Sequence, residues 1–430
     1  MPGEDWTRDP GGGPLATVGA RARGCSVRPV PPSARNRDRV ALVLAGGGAR
    51  GAYEIGALSV LLPALPAHER PRIVVGTSVG AINAAYLAAN AQRPVRELVD
   101  GALALWRKIT YGRVLKPLAS ISEATRLWSY AREVLGSRSA HAVSLLDPGP
   151  LTATLQELIA FEQVHRNVSA GHLSTAAVVA TSGVTNLSVV FHDGGRSPEA
   201  DRRRGITYVK TELSEQHVRA SAAIPVLFPA VAVGARRRWY FDGGTRLNAP
   251  IKPALELGGR RVIVIALNWL GHPPEPKAER RPDALDGASQ LIQAVLVDPL
   301  LNDVYTLATI NDLLADDSEA KVRSHERRTG RRRIPYMLIA PEDPHEIGRV
   351  AAEVYRRHYR SPVALLRSPN VAALGRLLNA SRGANRGELL SYLLFAEEFI
   401  ERLIDLGRRD ARRWLRSKHD LGRWQLGPLR

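Results

Sequence analysis

Residues 70–91 read RPRIVVGTSVGAINAAYLAANA. Ile73-Val74-Val75 is a short β-branched run, the composition of a buried strand. Gly76-Thr77-Ser78-Val79-Gly80 follows, and then an Ala- and Leu-rich stretch suited to a buried helix. Strand, Gly-x-Ser-x-Gly, helix is the setting of a nucleophile elbow. Gly76 and Gly80 have to be small, because strand and helix backbones nearly touch at so tight a turn. Ser78 then stands at the tip, flanked by Thr77 and Val79, over a helix N-terminus that favours developing negative charge. An ordinary Gly/Ser loop can carry the same five letters, so the rest of the chain has to decide between the two.

Toward the N-terminus, Arg39 to Leu44 is an apolar run of strand length. After it come Gly46-Gly47-Gly48-Ala49-Arg50-Gly51, and then Ala52 to Leu62 with Ile55, Leu58, Leu61 and Leu62 at helical spacing. This is a second strand, Gly-rich turn and helix. The letters fit G-x-G-x-x-G, a dinucleotide fingerprint. That fingerprint also wants an acidic residue at the end of the next strand, which here ends in Gly76-Thr77-Ser78. The other use is anion stabilisation: the successive N–H groups of Gly47, Gly48 and Ala49 can form a nest. Arg50 has two tasks open to it, charge at the nest or holding the loop by pairing.

Taken together, LVLAGGGARGAYEIGAL and VVGTSVGAINAA resemble the patatin-like phospholipase family. That resemblance calls for an Asp-Gly-Gly or Asp-Gly-Ala turn well downstream, and Phe241-Asp242-Gly243-Gly244 is there. Arg219 to Pro229 resembles the family's Ala-Ser-x-Ala-x-Pro-x-x-Phe-Pro segment, and Asn248-Ala249-Pro250 is a common continuation. The likeness covers about half the chain, from Val40 to roughly Leu257. It implies a three-layer α/β/α fold with a mainly parallel central sheet. It also implies a serine acyl hydrolase that cleaves fatty acyl esters of lipids or phospholipids without metal or organic cofactor. In the family an aspartate takes the serine proton directly. Here that dyad is Ser78 as nucleophile and Asp242 as base, with an acyl-Ser78 intermediate released by water. The oxyanion falls to the loop of Gly46, Gly47, Gly48, Ala49, Arg50 and Gly51. Gly243 and Gly244 let the Asp242 turn approach the elbow.

The chemistry has its own logic, since a serine hydroxyl is a poor nucleophile until a base takes its proton. A Ser-His-acid triad is the rival, with Asp242 and one of His272, His325, His345 or His358. None of these histidines has a distinctive setting, and no HxxH or HExxH spacing suggests metal hydrolysis. A catalytically silent lipid-binding or membrane-scaffold protein would share the same fold.

The chain is long enough for a large core and carries a formal net charge of +18, almost wholly from arginine. Such a charge attracts anionic lipid or nucleic acid, or simply reflects coding bias; no nucleic-acid motif accompanies it. Cys25 is the sole cysteine, so no intramolecular disulfide or thiolate cluster forms. No apolar run reaches 18 residues and no signal peptide is visible, so the expectation is a soluble cytoplasmic protein. Three regions follow: a disordered tail over 1–38, the phospholipase-like domain over 39–258, and an extension over 259–430 that completes the sheet and then turns helical. In the domain, Arg96 to Ile109 reads as a helix and Asp147 to Pro150 as a turn. Leu115 to Leu151, with Trp128 and Tyr130, reads as helices and loops, either a lid or ordinary core. Ala176 to Thr181 and Leu187 to His192 read as a hairpin, and Val262 to Leu267 as a strand. In the extension, Gly271 to Asp286 reads as a linker and Gln290 to Leu314 as a long helix. Ile334 to Ala340 reads as a strand. Gly348 to Tyr359, Asn370 to Leu378 and Glu388 to Leu406 read as helices. From Arg408 onward Trp414, Leu415 and Trp424 interleave with arginine, which suits either a peripheral contact with an anionic membrane or a solvated terminal helix.

Overall fold

Runs such as Val40-Ala41-Leu42-Val43-Leu44 have no polar face, and a strand of that kind is stable only where both faces are covered. The computed structural model describes residues 39–116, 146–269, 307, 309, 311, 333–361, 368–377 and 384–427. In it, β1 (Val40–Leu44), β2 (Ile73–Thr77), β8 (Arg261–Ile265) and β9 (Tyr336–Ile339) are parallel neighbours. β3 (Thr175–Ser182) joins β2 in parallel, then β4 (Ser188–Gly194) pairs antiparallel with β3 and β5 (Ile206–Lys210) parallel with β4. The sheet order is β5-β4-β3-β2-β1-β8-β9, with β6 (Val231–Val233) and β7 (Arg238–Asp242) attached beside β3. Alternate side chains feed two apolar layers. Leu42, Leu44, Val74 and Ile263 face one, and Ala41, Val43, Val75 and Val264 face the other.

The helices that close these layers are α1 (Gly51–Ala64), α2 (Val79–Ala89), α3 (Val95–Lys108), α4 (Gly149–Leu158), α5 (Phe161–Ser169), α6 (Glu215–Ser221), α7 (Ile251–Glu256), α8 (Glu346–Val354), α9 (Pro369–Leu377), α10 (Ala384–Leu393) and α11 (Glu397–Arg416). This is the three-layer, mainly parallel architecture read from the sequence, with the returning strand β9 and a helical C-terminal portion. Among the described residues no helix is long and apolar enough to cross a membrane.

Some readings change. Asp147 to Pro150 is a turn, closed by Gly149 N–H donating to Asp147 Oδ1 at 2.8 Å, that runs straight into a helix: Pro148 stands at the cap of α4 and Pro150 lies in its first turn, where its missing N–H is no loss. Ile206 to Lys210 is a strand that the charged loop before it concealed. The run from Glu388 to Leu406 is two helices, not one. Leu394 and Phe395 keep the apolar spacing going, but Ala396 is extended and the Phe395 carbonyl accepts from Tyr111 N–H at 3.1 Å. Glu397 and Glu398 then favour a fresh helix N-terminus. The basic end is also tied down. Arg409 and Arg413 pair with Glu346, Asp410 and Glu342. Trp424 is only 2% exposed and donates to Glu69 at 3.0 Å, so it is not offered to a membrane surface. Trp414 stacks on His419 at 4.0 Å. The tail over 1–38, Trp128 and Tyr130, the linker Gly271 to Asp286, His272 and His325 lie outside the described residues, as does most of Gln290 to Leu314.

α11 packs along α1 through two glycines. A Cβ on Gly56 would collide with the Ile404 carbonyl, and one on Gly407 with the Tyr53 carbonyl. Gly407→Ala is therefore expected to destabilise the protein by about 1–3 kcal/mol, the usual penalty of overpacking. A lowered urea midpoint for this variant, against an unchanged or raised one for Gly112→Ala, an exposed helical position where a Cβ meets nothing, checks it.

Candidate active site

Ser78 joins β2 to α2 with φ 55° and ψ −122°. A non-glycine residue held there stores about 1–3 kcal/mol of strain. Two contacts hold it: the Ser78 N–H donates to Ser221 Oγ at 2.8 Å, and that hydroxyl donates to the Val179 carbonyl. The elbow glycines are required by space. A Cβ on Gly76 would strike the Gly80 carbonyl, and one on Gly80 the Leu44 carbonyl. Thr77 Oγ1 donates to the Leu247 carbonyl at 3.0 Å. Val79 and Ser78 both line an apolar slot.

Asp242 reaches this elbow through strand register. β4 occupies one edge of β3 along most of its length. β2 takes the other edge as far as Thr77 opposite Val179, and β7 continues on that edge from Asp242 opposite Ala180. The last residues of β2 and β7 therefore meet end to end. Asp242 is 1% exposed. Its Oδ1 accepts from Gly244 N–H at 2.7 Å, and Oδ2 has no full hydrogen bond. The Ser78 hydroxyl lies close enough to favour the ionised carboxyl, as does Gly244 N–H, but burial outweighs both and pushes Asp242 up to about 7. Gly243 is packed against the Val179 carbonyl and 3.1 Å, measured from a would-be Cβ, from Thr77 Cγ2.

Among the described residues no histidine hydrogen-bonds Ser78 or Asp242. His345 leans on Glu388 at 3.6 Å and His358 on Glu398 at 3.7 Å. His217 caps α6 with Ser214, packs on Phe191, and is pushed down to about 4 by burial.

The glycine loop divides into anchors and open donors. Gly46 N–H donates to Asn248 Oδ1 at 2.8 Å, and a Cβ on Gly46 would stand 3.0 Å from Ser78 Cβ. Arg50 N–H donates to the Gly47 carbonyl at 3.2 Å, and Gly51 N–H to the Gly48 carbonyl. That leaves the N–H groups of Gly47, Gly48 and Ala49 without an acceptor among the described residues. Gly48, at φ +59°, is packed against the Tyr392 backbone, which accounts for this glycine without a nucleotide.

The Arg50 side chain takes the second of its two tasks. It is 1% exposed and donates to Ser391 Oγ (2.7 Å), Asn268 Oδ1 (2.8 Å), the Glu388 carbonyl (2.9 Å) and the Glu388 carboxylate. It also lies 4.0 Å from the centre of the Tyr392 ring. It holds the loop to α10 rather than offering charge to Ser78. Burial alone would raise the Glu388 pKa, but Arg50 and His345 overrule it and bring it to about 2.

The apolar slot runs from Ser78 and Gly48 between Ile82, Trp106, Leu155 and Phe395. Its interior is about 50 Å³, where a single water needs roughly 10–15 Å³, so it is narrow. Ser221, Asn248 and Glu388 were not singled out from sequence. The first two lie inside segments quoted above, so their neighbourhood was marked. Glu388 stands 338 residues from Arg50 and had no local signal.

The fold and this geometry define an α/β protein with a buried serine at a strand–helix elbow and a buried carboxylate beside it. Residues 42–255, about half of the chain, match the family model for patatin-like phospholipases. This domain belongs to the patatin-like phospholipase family, whose members are lipid acyl hydrolases. Similar solved structures include VipD from Legionella pneumophila, at 13% identity over 86% of this chain and 67% of that one, TM-score 0.30. Human GIVD cytosolic phospholipase A2 is similar at 13% identity and TM-score 0.40. That match covers 87% of this chain, which spans 58% of the human protein's length. Comparison with curated proteins gives no match.

Two outcomes follow. Ser78→Gly removes the strain at positive φ and is expected to stabilise the fold by about 1–2 kcal/mol in urea unfolding. Arg50→Ala leaves Glu388 buried without its partner and should destabilise by about 3–5 kcal/mol at neutral pH. The folded pKa of Glu388 is depressed, so its contribution is full above about 4.5 and is lost as pH falls toward about 2. The gap between wild type and Arg50→Ala should narrow over that window; a gap constant with pH would count against the ion pair.

Proposed function

We propose that this protein is a carboxylic ester hydrolase acting on lipid or phospholipid acyl esters, with Ser78 as nucleophile and Asp242 as its base. The observation that carries this reading is the meeting of a strained, buried serine with an aspartate whose second oxygen lacks a hydrogen bond and whose pKa lies near 7. An aspartate at its ordinary 3.8 is too weak a base to share a serine proton, whereas one near 7 is matched to the task at neutral pH.

In this mechanism the Ser78 hydroxyl passes its proton to Asp242 Oδ2 as Oγ attacks the ester carbonyl. The N–H groups of Gly47, Gly48 and Ala49 take the oxyanion, assisted by the N-terminus of α2. Asp242 returns the proton to the leaving alcohol. Water, deprotonated by the same carboxylate, then releases the fatty acid from acyl-Ser78. The acyl chain enters at the slot between Ile82, Trp106 and Phe395. The surplus of positive charge favours encounter with anionic lipid surfaces.

Ser78→Ala and Asp242→Asn should each abolish hydrolysis of a lipid ester panel while leaving the fold intact by circular dichroism. For wild type, kcat/KM should rise with pH through about 7 and fall about tenfold per unit below it, because the base works only when ionised. A fluorophosphonate probe should label wild type and not Ser78→Ala. A wild type that neither turns over nor is labelled would instead make this a silent lipid-binding protein on the same fold.

A further inference from the structure

A second cavity lies at the opposite end of the strands from Ser78. Its volume is about 320 Å³, in the range that takes small organic ligands. Leu42 of β1 and Val74 of β2, with Leu62, Leu87 and Leu98 from α1, α2 and α3, make an apolar floor, none of them more than 9% exposed. Arg70, Arg72, Arg93 and His172 line its rim. The three arginines come from different places in the chain: Arg70 and Arg72 lead into β2, and Arg93 leads into α3.

Among the described residues, exposed arginines such as Arg96 and Arg237 meet no carboxylate, while those that brace the fold do. Arg50, Arg107, Arg261, Arg409 and Arg413 each meet a carboxylate. Among the described residues, Arg70, Arg72 and Arg93 meet none. Arg72 and Arg93 are exposed, Arg72 donates to the Gly171 carbonyl, and the Nε of half-buried Arg70 is itself buried with no acceptor among the described residues. A buried guanidinium donor without an acceptor is unfavourable, and it invites an anion from outside. Pro94 and Val95, which also line the cavity, begin the 14-residue helix α3, so its positive dipole end adds to the same potential. A small inorganic anion would satisfy the rim and leave the leucine floor wet.

We propose that this cavity binds an anionic amphiphile. A carboxylate or phosphate head lies against Arg70, Arg72 and Arg93, and a short apolar tail lies on the floor of Leu42, Leu62, Val74, Leu87 and Leu98. Along β2 the floor at Val74 stands four residues, roughly 13 Å, from Ser78, and the rim at Arg72 six residues, so it is a site apart from the ester chemistry. It does not rest on the proposed hydrolase: either reading survives the failure of the other.

Titration calorimetry on the full chain tests it with four probes: decanoate, decyl phosphate, decanol and inorganic phosphate. Decanoate, decyl phosphate or both should bind one to one, and the tighter of the two identifies the head. Decanol and inorganic phosphate should bind at least about tenfold more weakly, one lacking the charge and the other the tail. Arg70→Gln/Arg93→Gln should weaken the amphiphile at least about tenfold, and Ser78→Ala should leave it unchanged. Arg70→Lys/Arg93→Lys should recover part of the loss, which separates lost charge from a damaged fold. No binding of either amphiphile overturns the proposal. So does decanol binding as well as decanoate, or an affinity indifferent to the arginines, which would put the ligand in the Ser78 slot.

Discussion

Strand β3 has two edges, and three strands claim them. β4 holds one edge. β2 and β7 share the other, β2 up to Val179 and β7 from Ala180 onward. Because residues along a strand are about 3.3 Å apart, that switch between adjacent positions leaves no room between the end of β2 and the end of β7. Thr77 and Asp242 are pressed together, and the chain after Thr77 has to turn out of the sheet at once. The strained backbone of Ser78 and the small turn at Gly243 follow from that crowding, and the turn it forces brings the start of α2 so close to β2 and β1 that Gly76 and Gly80 can carry no side chain. The strain persists because the surroundings over-determine it: Ser221 holds the Ser78 amide from β3's side, and Leu247 holds Thr77 from the far side of the Asp242 turn.

The second dependence is longer in sequence. The glycine loop does not hold its own shape. Asn248 fixes its start at Gly46, and Arg50 fixes its end through α10, where Glu388, Ser391 and Tyr392 surround the guanidinium. Tyr392 also packs its backbone on Gly48, and Phe395 forms one wall of the slot. The segment that matches the family model ends at 255, yet the loop beside Ser78 is held from residues near 390. Helices α10 and α11 therefore belong to the site's architecture, and α11 is locked to α1 by backbone contact at Gly56 and Gly407. A buried ion pair such as Arg50–Glu388 contributes little net stability compared with an apolar core, but it specifies one loop position, since any other leaves a buried charge unpaired.

These two dependences separate what the sequence could show from what it could not. The parallel strands were legible because Val40 to Leu44 and Val262 to Ile265 are apolar on both faces. The elbow was legible because close backbone contact admits only glycine at 76 and 80. Asp242 was legible by its resemblance to a family turn, though not by any local rule, since strand register alone brings it to Ser78. The Arg50 partner was invisible, because a lone arginine and a lone glutamate 338 residues apart leave no pattern. The break at Leu394 to Ala396 was hidden for a related reason. Apolar spacing reports burial, and burial continued where the helix did not. Trp424 misled in the same manner: a tryptophan among arginines looks interfacial, but its ring lies beside Arg261 and its N–H finds Glu69.

Burial does opposite things to the site's two carboxylates. Glu388 is buried beside a guanidinium, so the partner's charge wins and the pKa falls to about 2. Asp242 is buried with only neutral donors, Ser78 and Gly244, so desolvation wins and the pKa rises to about 7. One becomes a fixed charge that positions a loop. The other becomes a group that holds or releases a proton near neutral pH. On the proposed mechanism this difference replaces an imidazole: a histidine has the needed basicity by nature, whereas an aspartate acquires it only where water and cations are excluded. The arrangement then explains why Arg50 points away. A guanidinium facing Asp242 would pull its pKa back down and leave Ser78 without a base, so the arginine beside the loop serves the site only from a distance.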